Sequence, residues 1–154
     1  MVTWYTVLKV VHVLSVVAWI GAATAFTSVT ALLLGARERD TIRKLFPYTM
    51  RYGQRVAAPS SLIVLLTGVA MVLVGRLPFD ALWVRWGLAG ILLHFIYGAT
   101  VMRKRAMAFV PLLSSTPADD AKIAVAGRRL VQGNFIYVLL MASVIVVMVL
   151  KPTF

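Results

Sequence analysis

Two histidines, His12 and His94, carry most of the coordination and acid–base chemistry open to this sequence. Imidazole ligates transition metals and haem iron, and it titrates near neutral pH. The chain has no cysteine, so a metal site has no thiolate to draw on; it must use these imidazoles, the five carboxylates, Met, Tyr or backbone groups. Each histidine lies inside an apolar run, His12 in KVVHVLSVVAWIG and His94 in GILLHFIYG. An ionisable group at membrane depth is expensive, normally faces the bundle interior, and marks a functional site by default. No Ser/His/Asp set, no pair of carboxylates within the apolar runs and no phosphate-binding loop accompanies them. Hydrolysis and carboxylate-coupled proton transport therefore have no support.

The elements that must position these residues are membrane helices. Of the 154 residues, 61% are hydrophobic and only 14% charged, far from the composition of a soluble domain. Four stretches, about 4–35, 56–75, 82–102 and 131–150, are long enough to cross a hydrocarbon core, which takes about 20 apolar residues. The expected fold is an all-α, up-down four-helix transmembrane bundle forming one domain, with helical extensions beyond the membrane in the two long connections. Of sixteen Lys and Arg, six lie in the first connection and six in the third, against four elsewhere. The positive-inside rule then puts those connections in the cytoplasm and both termini outside, with Trp4, Tyr5, Trp83 and Trp86 at the outer interface. It also accounts for the net charge of +11 without nucleic acid as a partner. AATA before Phe26 could serve as a cleavage site, but hydrophobicity continues through FTSVTALLLG and Lys9 is the only early basic residue, which favours an uncleaved first helix.

Depth and face decide whether the histidines can meet. His12 lies seven residues from Tyr5, about 10 Å of helical rise; His94 lies about 12 Å from Trp86, or about 16 Å from Trp83. The first and third helices run the same way, so both imidazoles are expected in the outer half at nearly one level, facing each other across the diagonal of the bundle. On a helical wheel Tyr5 and Trp19 lie within about 20° of His12, with Lys9 and Ser15 about 60° away. Gly87, Gly90 and Gly98 all lie within about 40° of His94. Glycine permits close approach of a helix or of a flat ligand. Two readings stay open. One is a small-residue packing seam around a hydrogen-bonded histidine. The other is a b-type haem with His12 and His94 as axial ligands to the iron, glycines making room for the macrocycle, and Lys9, Arg85 or Tyr5 near the propionates.

Lys9-Val10-Val11-His12, followed by Trp19 and Gly21, resembles the first helix of four-helix membrane proteins related to HemJ, the bacterial protoporphyrinogen oxidase, and to the CopD copper-resistance proteins, together with a neighbouring family of unknown function. Those proteins open with a K-x-x-H motif and a Trp-Gly pair. The resemblance implies a multi-pass protein of a bacterial inner membrane and, from the HemJ side, haem ligation by His12. HemJ-like proteins also carry an essential lysine near the start of the third helix, where this chain has Arg85. Arginine cannot ligate iron. That departure argues against HemJ-type oxidase activity, leaves His94 as the replacement ligand, and makes the family of unknown function the closer relative.

Other polar residues are weaker candidates. Gln132, Asn134 and Tyr137 open the fourth helix and read as interfacial hydrogen-bonding groups; Ser60, Ser61 and Thr67 read as bonding their own helix backbone. Met71, Met141 and Met148 suit Cu(I) but are scattered, as core filler is. The sequence thus leads to a bundle holding one haem b for electron transfer or haem-linked oxidation. The alternative is a non-catalytic accessory subunit or small copper-type transporter, whose glycine face packs on a membrane protein partner or a second copy.

Overall fold

A computed structural model describes residues 3–117 and 119–152. Four long helices make up almost all of it: α1 (Trp4–Gly35), α2 (Arg39–Val74), α3 (Leu82–Ser114) and α4 (Asp120–Leu150). Their 31 to 36 residues amount to about 47 to 54 Å at 1.5 Å per residue, against a hydrocarbon core of about 30 Å. Roughly a third or more of each helix therefore stands outside the lipid. The spans expected at 56–75, 82–102 and 131–150 are the inner parts of these helices, and the basic connections continue them without a break. Pro47 and Pro111 lie inside the extensions of α2 and α3 without ending either.

Local signals set the helix ends. The Thr3 side chain caps α1 by accepting from the Thr6 N–H, and Asp119 caps α4 by accepting from the Lys122 N–H. Arg37, Arg76 and Lys151 take left-handed backbone conformations just after α1, α2 and α4. Each thus puts a cation beside the exposed carbonyls of a helix C-terminus, where the helix dipole favours it.

The helices form an up-down bundle. α1 packs on α2 and α4, and α3 packs on α4. α2 and α3 touch near the short turn that joins them and again through their extensions at the far, basic end. At that end Ile42, Phe46, Ala106, Phe109, Leu113, Ile123 and Leu130 make a buried core of their own. Arg39 adds a polar tie, its Nη2 donating to the carbonyls of Leu113 at 3.0 Å and Ser115 at 2.8 Å. A second core, of Trp19, Val64, Ile91 and Met141, lies within the spans. The outward faces of the spans remain apolar and exposed, as lipid-facing surfaces are.

Three of the helices contain one π-helical turn each: Val17–Gly21 in α1, Gly53–Ala57 in α2 and Gly98–Met102 in α3. A π turn holds one surplus residue and widens the helix locally; such bulges are frequent at functional sites. All three border the same space.

Candidate functional site

That space is a cavity of about 760 Å³ between the two cores, within the usual range for a small-molecule site. Trp19, Phe26, Tyr52, Phe95 and Tyr137 give it aromatic walls, and His94, Asn134 and Gln54 supply polar groups. Every exposed residue lining it is on α2 or α3, among them Gln54, Ala58, Phe95 and Met107. The lining residues from α1 and α4 are buried or half-buried. The mouth therefore lies between α2 and α3, in the stretch where the π turn of α2 packs on α1 and that of α3 packs on α4.

His94 stands at this cavity and is 7% exposed. Its Nε2 is 2.6 Å from the Tyr137 hydroxyl, which lies 2.8 Å from Trp19 Nε1. The three rings pack together, with Trp19 edge-on to His94 at 4.2 Å between centroids and Tyr137 tilted against it at the same distance. An indole N–H can only donate, so Tyr137 Oη accepts from Trp19 and passes its own proton to His94 Nε2. The remaining imidazole proton then sits on Nδ1. Among the described residues Nδ1 is buried and has no hydrogen-bond partner. The opposite tautomer would leave both the tyrosine proton and Nδ1 unpaired, which is worse by one buried polar group.

His12 has different surroundings. Its Nδ1 is 3.0 Å from Thr67 Oγ1, whose single proton goes to the Ile63 carbonyl at 2.6 Å, so the threonine accepts from the imidazole. Gly68 lies against the ring: a Cβ there would come within 3.3 Å of His12 Cε1. His12 does not line the cavity. The residue of α1 that meets His94 is Trp19, seven positions and about 10 Å further along the helix.

The chain's place among known proteins follows the same outline. The sequence profile of a family described as predicted integral membrane protein (DUF2269) matches residues 6–152. The chain belongs to that family. No curated protein and no solved structure matches it. This DUF2269 protein has four helices long and apolar enough to span a membrane.

In this family member several residues singled out from the sequence are placed apart. His12 and His94, expected to face each other, have separate hydrogen-bond partners, Thr67 on α2 and Tyr137 on α4. Gly87 and Gly90 face α4 rather than an open slot, because a Cβ at Gly87 would run into Met148 Cε and one at Gly90 into Val144 Cγ2. Gly98 alone of the three borders the cavity and has open space around it. Lys9 and Arg85 are exposed, and among the described residues neither joins an ion pair or a hydrogen bond. The two imidazoles do not share the cavity: His94 lines it and His12 does not. Nor do the described residues bring three or more of His, Asp and Glu into a cation site.

Tyr137, read from the sequence as an interfacial group, ties α1, α3 and α4 together at the cavity. Its position one turn after Asn134 on an otherwise apolar face was the available signal. Thr67 does bond its own backbone, as expected, and in doing so becomes an acceptor for His12.

Proposed function

We propose that this membrane protein binds a lipophilic small molecule inside the bilayer, in the cavity ringed by the three π turns, with His94 as its polar anchor. The observation that carries this reading is the Nδ1–H of His94, a covered donor without an acceptor among the described residues, on a ring that Trp19 and Tyr137 hold and that lines a cavity of about 760 Å³. Leaving such a donor unpaired costs about 1–3 kcal/mol, which an acceptor on a bound molecule recovers. The part of the mouth at Ala58, Phe95 and Ala99 lies within the expected spans, so the molecule enters there from the membrane. The distribution of Lys and Arg supports a cytoplasmic basic end, and the likeness of α1 to HemJ and CopD proteins supports a bacterial inner membrane.

The geometry favours this reading over the two drawn from sequence. Electron transfer through one haem needs His12 and His94 together. A subunit role through the glycine face needs Gly87 and Gly90 free, whereas Met148 and Val144 fill that face from within.

The test is to purify the protein in lipid nanodiscs, extract it with organic solvent and compare the retained molecules by mass spectrometry with those from a Gly98→Leu variant. Gly98 has room for a side chain, so leucine fills the cavity without disturbing a helix contact. A compound retained by the natural chain and absent from the variant is expected; identical extracts would sink the reading.

A further inference from the structure

The chemistry of the cavity narrows the ligand. We infer that, given the binding role proposed above, the molecule is a quinone-type ring, seated with one carbonyl on the Nδ1–H of His94 and entering between α2 and α3.

Charge comes first. Arg103 is the cation that lines the cavity, and it is exposed and nine residues from His94, about 13 Å of helical rise. The deep end around His94, Trp19 and Tyr137 offers only neutral groups. A carboxylate or phosphate there would be buried without a counter-charge, at a cost of several kcal/mol. A fatty acid in the other orientation, its carboxylate at Arg103, would bring only methylenes to His94 and leave the Nδ1–H unpaired. The deep end therefore selects a neutral acceptor.

Shape comes second. Trp19, Phe26, Tyr52, Phe95 and Tyr137 supply aromatic faces and edges, which suit a flat ring. Asn134, one turn from Tyr137 on α4, also lines the cavity, and its amide makes no hydrogen bond among the described residues. It is a second neutral donor, as a ring with two carbonyls requires. His94 Nδ1 is covered as the chain stands, and Phe95, edge-on to the imidazole at 5.6 Å between centroids and 37% exposed at the mouth, is the neighbour that must swing toward lipid for a carbonyl to reach it. An alkyl tail on the ring would leave through the mouth into the bilayer.

The experiment uses the full chain in nanodiscs, with Trp4, Trp83 and Trp86 replaced by Phe so that Trp19 is the sole tryptophan and is excited selectively, titrated with a decyl-substituted benzoquinone and, separately, with palmitate. Saturable quenching by the quinone is expected. It should weaken at least tenfold in His94→Leu, return in His94→Asn, which keeps an N–H near the Nδ1 position, and stay unchanged in His12→Ala. Equal quenching in the natural chain and His94→Leu would mean partition into lipid and overturn the proposal. Saturable binding of palmitate but not quinone would overturn the quinone assignment and leave the cavity reading standing; binding of neither probe would overturn the assignment, with the extraction comparison left to judge the cavity. Should His94→Leu fail to fold, His94→Asn and Gly98→Leu carry the test: retained binding in the first and loss in the second support the proposal, and the reverse refutes it.

Discussion

His12 and His94 sit on helices that run the same way, and both lie inside apolar spans, but the bundle treats them differently. His12 is half-buried and satisfied by one threonine of the adjacent helix, itself bonded to its own backbone. His94 is buried, tied through Tyr137 to Trp19 across three helices, lines a cavity, and keeps one N–H unpaired among the described residues. The lesson is that membrane depth alone does not make a histidine functional. A neighbour with a hydroxyl already fixed by its helix is enough to absorb one imidazole; a network with a surplus donor next to open volume calls for something more.

The strongest challenge to this contrast is to remove each histidine's hydroxyl partner. Tyr137→Phe strands both Trp19 Nε1–H and His94 Nε2, and at about 1–3 kcal/mol per buried unpaired group the expected loss is about 3 kcal/mol. Thr67→Val removes one bond from a half-buried ring and should cost about 0.6 kcal/mol, the average for hydrogen bonds between membrane helices. Unfolding of both variants in mixed micelles checks the pair; a Thr67 loss equal to the Tyr137 loss would erase the distinction.

The glycines beside each ring give the next contrast. Gly90→Ala pushes a methyl into Val144 of α4 and should destabilise by about 1–3 kcal/mol, as overpacking does. Gly68→Ala meets only the edge of His12 at 3.3 Å, and the half-buried ring can shift, so thermal denaturation should show a smaller loss. Smaller still is the coupling between the histidines. With no shared partner, His12→Ala and His94→Ala should be additive within about 0.5 kcal/mol. A larger coupling, or a Soret band that either substitution removes, would join the two sites and restore a shared haem.

The smallest effect lies far from both. Asp119 is held below the usual carboxylate range, first by the Lys122 N–H it accepts from at the start of α4 and then by the Lys122 side chain. Its folded pKa is depressed, so this stabilisation is complete above the ordinary carboxylate pKa and is lost as pH falls through the lowered value. The protection factor of the Lys122 amide, which removes the intrinsic pH dependence of exchange, should fall in acid, with that of Tyr137 unchanged.

Much of the fold was legible in the sequence because span length and charge distribution are properties of single segments. The four spans, the basic extensions and the turn at Pro78 could all be read that way. The pairing of residues across helices could not, since a wheel gives the face of a residue but neither its neighbour nor its register. His94 was read to the right face, and Gly87 and Gly90 with it, yet that face met α4 instead of His12. A π turn shifts the face of every later residue by about 100°, and nothing in VAWIG, GQRVA or GATVM distinguishes it from α-helix except a glycine.

The tie from Arg39 to the end of α3 has a mechanical consequence. With the short turn joining α2 and α3 at one end and the guanidinium clamp at the other, the two helices behave as beams fixed at both supports. Such a pair cannot swing open like a hinged door. A gap between them opens by bowing at mid-length, where each beam holds its surplus residue, so the binding role proposed above requires residues 53–57 and 98–102 to bend while the ends stay still.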